Sequence, residues 1–158
     1  MHGKADFEKP ATAEFVAKIL IVDDDSTVQL TMRLLLERAG HRVVTASDGR
    51  KGLAQFQAGD FDLLFVDIFM PGMDGFETMR IAHQQKPLTP IIVISGQPMS
   101  SESSPDFLTM ATKLGAVSSL QKPFRPANLL DAVAKFLDAA AQRQTAADRA
   151  VRNIASRP

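Results

Sequence analysis

The chain contains no cysteine, tyrosine or tryptophan, so all ten of its aromatic residues are phenylalanine. The absence of cysteine excludes disulfides, thiol nucleophiles and thiolate metal sites. No apolar run approaches the roughly 20 residues of a membrane span, and the first residues lead into no signal-peptide core. Basic and acidic residues balance at eighteen each, whereas nucleic-acid binders usually carry a basic excess. We therefore expect a cytoplasmic domain with neither a membrane nor a nucleic acid as partner.

The length of 158 residues predicts one domain with short additions at its ends. Residues 1–16 mix charges without a clear period and are expected to be a leader. Residues 17–140 carry the domain, and residues 141–158 form a basic tail that is expected to be helical or frayed. Neither end is long enough for a second hydrophobic core, so the chain is expected to act as a stand-alone domain.

Five short apolar runs recur along the chain and predict strands. They cover residues 18–22, 41–46, 61–66, 90–94 and 117–120. Continuously apolar runs of this length suit strands that are buried on both faces. Segments with helical spacing lie between them, the first of which carries Leu30, Leu34 and Leu35 and stops at Gly40. Five strands alternating with five helices predict an α/β fold, a doubly wound parallel sheet with helices on both faces.

Polar residues follow the ends of four of these five runs. They are Asp23 with Asp24, Asp67, Ser95 and Lys122. Ligands of open α/β sheets bind beyond the carboxyl ends of the strands, so these side chains are expected to share one crevice.

Three carboxylates gathered in one crevice repel one another, by roughly 4 kcal/mol for each close pair at an effective dielectric near 20. A bound cation relieves this repulsion. Because the ligands are oxygen atoms only, a hard ion such as Mg²⁺ is favoured over zinc. A cation, a nucleophilic carboxylate and a lysine together indicate phosphoryl chemistry.

These residues and their surroundings resemble the receiver domains of two-component response regulators, over about residues 17–140. The markers are Ile19–Asp25, Asp67–Gly75 with its Met-Pro-Gly-Met-Asp-Gly ending, Pro90–Gly96 and Lys122–Phe124. The resemblance implies a flavodoxin-like receiver fold with strand order 2-1-3-4-5.

The resemblance also implies a role for each site residue. Asp67 would accept a phosphoryl group from the phosphohistidine of a histidine kinase. Asp23 and Asp24 would hold Mg²⁺, helped by Asp67 and by the backbone carbonyl of Phe69. Lys122 would pair with the phosphoryl oxygens. Such a protein catalyses its own phosphorylation and dephosphorylation and is not a conventional enzyme.

Ser95 takes the position of the family's switch hydroxyl, but Ser119 stands where receivers commonly have Tyr or Phe. The usual inward swing of an aromatic ring therefore cannot operate here. We expect the output signal to depend more on the long, serine-rich loop at residues 96–104. The family's Lys-Pro bond, here Lys122-Pro123, is expected to be cis.

Phe69 and Gln97 occupy positions two residues beyond Asp67 and Ser95, where family members tune loss of the phosphoryl group. A bulky apolar side chain at 69 is expected to hinder an attacking water and to slow self-dephosphorylation.

Alternatives remain open at this stage. A receiver can signal by contact with a downstream target or hand its phosphate to a phosphotransfer protein. A haloacid-dehalogenase-type phosphatase would use Asp23 as nucleophile and Asp25 as general acid, but this leaves Asp67 unexplained. A non-phosphorylated binding module with the same fold is the third hypothesis.

Overall fold

The computed structural model describes residues 16–70, 74–96 and 107–155, and the side chains within them except those of 139–145 and 147. Strands and helices alternate strictly along these residues. The strands are β1 (Lys18–Val22), β2 (Arg42–Ala46), β3 (Leu63–Asp67), β4 (Ile91–Ser95) and β5 (Ala116–Gln121). The helices are α1 (Ser26–Arg38), α2 (Gly49–Ala58), α3 (Gly75–Gln85), α4 (Phe107–Lys113) and α5 (Pro126–Ala155). The leader predicted at residues 1–16 lies outside the described residues except for Val16.

The five strands form one parallel sheet in the order β2-β1-β3-β4-β5. This confirms the predicted α/β fold class and strand order. β1 lies between β2 and β3, so the connections after β1 and after β2 run in opposite directions across the sheet. This reversal creates a crevice at the carboxyl ends of β1 and β3. In register, Asp67 pairs with Ile94 and Ser95 pairs with Gln121, so the last residues of the central strands meet at one edge.

Each face of the sheet has its own hydrophobic core, because successive side chains of a strand point to opposite faces. Leu20, Val22, Leu64, Val66, Ile91 and Val93 lie in the core that is completed by residues of α2, α3 and α4. Ile19, Ile21, Leu63, Phe65, Ile92 and Ile94 lie in the core that is completed by α1 and α5. Every residue of β3 and β4 is buried, which explains why these strands are apolar without alternation.

The strands and helices differ in detail from the sequence prediction. β3 begins at Leu63 rather than at residue 61, and Asp67 and Ser95 are the last residues of β3 and β4. In α1 the buried residues are Met32 and Leu36, whereas Leu30 is 56% exposed and Leu34 is 54% exposed. Since several faces of α1 carry apolar residues, packing against the sheet decides which of them is buried.

Aspartates begin three of the helices, and one of them bears on a hypothesis left open above. Asp25, Asp48 and Asp74 each accept backbone N–H bonds at the start of α1, α2 and α3, as N-cap residues do. The Asp25 carboxylate accepts from the amides of Thr27 and Val28. This capping role accounts for Asp25 without the catalytic role that the phosphatase alternative assigns to it.

The last helix is much longer than the sheet requires. Among its described side chains, the buried ones are those of Leu129, Val133 and Leu137 in its first half, and Val151 and Ile154 near its end are exposed. Although α5 has 30 residues, neither it nor any other described helix combines the length and apolarity needed to cross a membrane.

Candidate functional site

Two buried carboxylates lie at the carboxyl ends of the neighbouring strands β1 and β3. Asp23 directly follows β1 and is 0% exposed, and Asp67 ends β3 and is 4% exposed. Each accepts, through its Oδ1, the backbone N–H of the residue two positions later: Asp25 N lies 2.9 Å from Asp23 and Phe69 N lies 3.0 Å from Asp67. These bonds orient both carboxylates.

Lys122 joins the two carboxylates. Its Nζ lies 2.7 Å from Asp23 Oδ2 and 3.1 Å from Asp67 Oδ2. The backbone N–H of Lys122 donates a 2.7 Å hydrogen bond to the carbonyl of Ser95, which ties the end of β5 to the end of β4. The Lys122-Pro123 bond is cis. One ammonium thus offsets part of the charge of two buried acids.

Burial and the neighbouring charges shift the pKa values of this cluster. Burial raises the pKa of Asp23 to about 6, and the Asp67 carboxylate adds to the rise. The Lys122 ammonium and the amide of Asp25 act in the opposite direction. Burial alone lowers the pKa of Lys122, but its contacts with Asp23 and Asp67 outweigh burial and raise it above its ordinary value. The ammonium of Lys122 therefore does not fully offset the cost of burying the Asp23 carboxylate.

The carboxylates also fit a cation. Asp23, Asp24 and Asp67 each offer an oxygen atom, and these atoms lie within 4.8 Å of one another. Asp23 Oδ2 is completely buried and has no hydrogen bond of proper geometry among the described residues; its close contact is the ion pair with Lys122. Asp24 is exposed and leaves the cluster open to solvent on one side. An acidic cluster that can bind a metal ion is thus present where the sequence predicts it.

Ser95 and Phe69 lie beside this cluster. Ser95 is completely buried at the end of β4. Phe69 follows Asp67 by two residues, and its half-buried ring contacts the ring of Phe107 in α4 at 4.9 Å between centroids. Ser119 lies in β5 opposite Val93 and has no ring. Of the predicted signalling loop at residues 96–104, only Gly96 is among the described residues, and Gln97 lies outside them too.

Gly75 lies against the backbone of Asp67, and this close approach is possible because Gly75 has no side chain. A Cβ on Gly75 would lie 2.0 Å from the carbonyl oxygen of Asp67 and 2.3 Å from the Cα of Ile68. No other amino acid fits this position unless the backbone moves, because real contacts of a Cβ are never so short. The first residue of α3 is therefore packed directly on the end of β3.

Gln29 is a supporting residue that the sequence analysis missed. Its Nε2 donates to the backbone carbonyls of Asp23 and Ala46, and the amide of Asp23 donates to the same carbonyl of Ala46 at 3.1 Å. These bonds join the ends of β1 and β2 behind the carboxylates. A glutamine in the first turns of a helix is common on surfaces, so no sequence signal distinguishes this one.

Comparison with known proteins gives this arrangement a family. The response regulator receiver domain model matches residues 19–134. Among curated proteins, the chain is 33% identical over 109 residues to the alkaline phosphatase synthesis transcriptional regulatory protein PhoP of Bacillus subtilis, covering 69% of this chain and 43% of PhoP. It is 35% identical over 122 residues to the C4-dicarboxylate transport transcriptional regulatory protein DctD of Pseudomonas aeruginosa, covering 77% of this chain and 25% of DctD.

Solved structures agree. The chemotaxis protein CheY4 of Vibrio cholerae matches with a TM-score of 0.70 and 34% identity, covering 77% of this chain and 99% of that chain. A CheY-like receiver domain protein of Methanospirillum hungatei matches with a TM-score of 0.75 and 29% identity, covering 82% and 99%. The chain belongs to the response regulator receiver domain family, as its sequence predicts.

This membership places the chain in two-component signal transduction, in which receiver domains interact with histidine kinases and downstream effectors. Nothing in the structure or the relatives favours the phosphatase or the non-phosphorylated module. The chain spans less than half the length of PhoP and DctD, so nothing about transcription is carried over from them.

Proposed function

We propose that this protein accepts a phosphoryl group on Asp67 from a histidine kinase, in the presence of Mg²⁺. The observation that carries the proposal is the gathering of the Asp23, Asp24 and Asp67 carboxylates with the Lys122 ammonium at the switch point of a receiver sheet. The three carboxylates repel one another and favour the binding of a cation. The ammonium of Lys122, which pairs with two of them, can stabilise the negative charge of a phosphoryl group.

Asp67 is the acceptor in this proposal, and its neighbours prepare it. The Phe69 amide holds Oδ1, so Oδ2 is the oxygen that faces the ammonium of Lys122. An oxygen of Asp67 attacks phosphorus in line, the P–N bond to the donor imidazole breaks, and its electron pair stays on that nitrogen, which takes up a proton. Lys122 remains close to Asp67 and pairs with the phosphoryl oxygens.

Asp23 and Asp24 would hold Mg²⁺ with Asp67, and the backbone carbonyl of Phe69 is the fourth proposed ligand. Bound there, Mg²⁺ would offset the charge of the transferring phosphoryl group. The completely buried Oδ2 of Asp23, whose close contact is the ammonium of Lys122, supports this assignment. Ser95 is proposed as the hydroxyl that contacts the phosphoryl group, since it ends β4 next to the main chain of Lys122.

Space for the donor is available beside the lysine. A cleft of about 440 Å³ lies between the start of α1 and the segment after β5, and it is lined by Asp25, Thr27, Val28, Thr31, Gly96, Lys122, Pro123 and Phe124. The imidazole of a histidine kinase is proposed to approach through it. A downstream target or a phosphotransfer protein then recognises the phosphorylated form, and we propose that this takes place in the cytoplasm.

Labelling tests the proposal directly. The chain is incubated with Mg²⁺ and acetyl phosphate, and the modified aspartate is mapped by mass spectrometry after borohydride reduction. We expect modification of Asp67 in the wild type, and none in Asp67→Asn or when EDTA replaces Mg²⁺. Asp48→Asn, which alters a helix cap at the start of α2, is the matched control and should label normally. Modification of Asp23 would support the phosphatase, and the absence of any labelling would support the binding module.

The phosphodonor is tested separately. Phosphotransfer from a panel of purified histidine kinases should label the wild type at Asp67, fastest for the cognate kinase. If acetyl phosphate labels Asp67 but no kinase does, the acceptor assignment holds and the kinase partner is wrong.

A further inference from the structure

The described part of helix α4, Phe107–Lys113, has few fully buried side chains. Among these residues, Ala111 is the one that is completely buried. Leu108 is 40% exposed and Met110 is 43% exposed, so two of its larger apolar side chains contribute little burial. An element with few buried apolar contacts opens at low cost, and its stability depends on each contact that it keeps.

One of those contacts is aromatic and lies at the start of α4. The ring of Phe107 meets the ring of Phe69 edge to face, with centroids 4.9 Å apart and planes at 87°. It also lies 6.0 Å from the ring of Phe76 in α3. All three rings are half-buried and pack on the same core, on the α2–α4 face of the sheet. They form what we call the aromatic cluster, Phe69, Phe76 and Phe107.

Both partners of Phe107 in this cluster are coupled to Asp67. The backbone N–H of Phe69 donates to Asp67 Oδ1 at 3.0 Å. Phe76 follows Gly75, which is packed against the carbonyl of Asp67 so closely that no Cβ fits between them. A change at the Asp67 carboxylate therefore displaces the backbone that carries the rings, and the rings contact α4.

In β5, the residue at position 119 is a serine, and it is too small to transmit a displacement from the site by packing. Ser119 pairs with Val93 in the register of β4 and β5, and its side chain is a hydroxymethyl group. It cannot transmit a displacement by packing, because it fills too little space to press on a neighbour. The aromatic cluster instead offers large side chains, which pack between the segment after β3 and α4.

We propose that the aromatic cluster couples phosphorylation of Asp67 to the position of α4, through the edge-to-face contact between Phe69 and Phe107. This inference rests on the proposed function, since it requires a phosphoryl group at Asp67. A phosphoryl group adds negative charge next to the Phe69 amide and draws that amide toward it. The ring of Phe69 moves with its backbone. Because an edge-to-face pair at 4.9 Å and 87° is close to its preferred geometry, a displacement of one ring weakens the contact and loosens α4.

Hydrogen exchange with and without a phosphoryl mimic tests the coupling. The full chain is measured by mass spectrometry with Mg²⁺ alone and with Mg²⁺ plus beryllium fluoride. In the wild type we expect amides of Phe107–Lys113 to exchange about two- to tenfold faster with the mimic, the range that loss of one aromatic contact predicts. In Phe107→Leu, exchange should already be fast without the mimic and should not respond to it.

Phe136→Leu is the matched control, because it makes the same substitution in a half-buried ring of α5 that packs on the opposite face of the sheet. Its α4 should respond as in the wild type. Phe107→Met is a second variant with the same expected loss of response. Mimic binding is read independently for every variant from the change in exchange at Val22–Asp24.

The outcomes separate the two proposals. If the wild type binds the mimic but α4 does not respond, or if Phe107→Leu responds as the wild type does, the coupling is wrong and the acceptor function stands. If the wild type binds no mimic and acetyl phosphate does not label Asp67, the proposed function fails and the coupling fails with it. If both Phe107 variants unfold, Phe107 stabilises the whole domain and the coupling through α4 is also wrong.

Discussion

The ammonium of Lys122 lies closer to the carboxylate of Asp23, at 2.7 Å, than to that of Asp67, at 3.1 Å. In the absence of a metal ion, the lysine is therefore shared between a proposed metal ligand and the proposed acceptor. Even so, burial raises the pKa of Asp23 to about 6, which means that one lysine does not compensate for the burial of this carboxylate. The ionised Asp23 therefore opposes folding.

This opposition predicts a pH-dependent gain in stability from Asp23→Asn in metal-free protein. The pKa of Asp23 is about 6 in the folded protein, whereas an aspartate in an unfolded chain has a pKa of about 3.9. Between these two pKa values the folded state binds one proton more than the unfolded state, so the free energy of unfolding falls as pH rises through this range. The penalty is therefore absent below pH 4, develops between about pH 4 and pH 6, and is complete above that range.

We expect Asp23→Asn to raise the free energy of unfolding by about 1–3 kcal/mol at pH 7 and to change it little at pH 4. Urea unfolding in EDTA at both pH values measures this. Asp138→Asn, at an exposed position of α5, should have no effect at either pH. An equal gain at pH 4 and pH 7 would contradict the burial of an ionised carboxylate as the cause.

Gly75→Ala should damage both the fold and the site. The added Cβ would lie 2.0 Å from the carbonyl oxygen of Asp67, so the end of β3 must move. We expect a loss of about 2–4 kcal/mol in the free energy of unfolding, together with slower labelling of Asp67. Glu77→Ala is the control, since it places an alanine at an exposed position of the same helix. Normal labelling of Gly75→Ala would show that the approach of α3 does not position Asp67.

Lys86→Met should destabilise the protein without affecting the site. Lys86 Nζ donates to the backbone carbonyls of Phe56 at 2.8 Å and Gly59 at 2.6 Å, at the carboxyl end of α2. Removing this donor leaves carbonyls without their partner, which costs about 1–3 kcal/mol of folding free energy. Lys51→Met is the control, because its ion pair with Asp48 is exposed and 3.8 Å long and should contribute almost nothing. Thermal unfolding and the rate of Asp67 labelling are measured together, and a slowed labelling rate in Lys86→Met would be evidence against this separation.

Phe69→Asn should speed loss of the phosphoryl group from Asp67. The apolar ring lies two residues beyond the proposed acceptor, where we expect it to hinder an attacking water, whereas a polar amide can orient a water molecule. A barrier lowered by about 1 kcal/mol shortens the half-life roughly fivefold. Decay of the labelled protein after removal of acetyl phosphate measures this. Phe69→Leu keeps the site apolar and should leave decay slow, and an unchanged half-life in Phe69→Asn would contradict the shielding role.

Truncation after Ala140 should leave the receiver functional. Among the side chains of α5 that the structure describes, the buried anchors are Leu129, Val133 and Leu137, whereas Val151 is 65% exposed and Ile154 is 75% exposed. We expect the free energy of unfolding to change by no more than about 0.5 kcal/mol and Asp67 labelling to keep its rate, as for surface changes away from the core. Truncation after Ala132 removes two anchors and should unfold the domain. If the shorter deletion were also destabilising, the proposed boundary at residue 140 would be wrong.

The central strands and the site at their carboxyl ends could be predicted from the sequence. The central strands β1, β3 and β4 are buried on both faces, so their sequences are apolar throughout, and polar residues mark their ends. The carboxyl ends of parallel strands share one edge of the sheet, so Asp23, Asp67 and Lys122 could be expected to lie near one another. The structure brings them into direct contact.

The burial of individual helix faces could not be predicted in the same way. The leucines of α1 have helical spacing, yet Leu30 and Leu34 face outward and Met32 and Leu36 face the sheet. Apolar residues occur on more than one side of this helix, and the choice between sides depends on how the helix docks. The hydrogen bonds of Gln29 to the ends of two strands depend on the same docking.

The class of fold, the family and the residues available for phosphoryl chemistry follow from the sequence, because they depend on local patterns of polarity along the chain. The burial that raises the pKa of Asp23, the approach of Gly75 to Asp67 and the contact between Phe69 and Phe107 are visible in the folded structure alone. Each of these depends on the distance between groups that lie apart in the chain, and such distances are set by the packing of helices on the sheet.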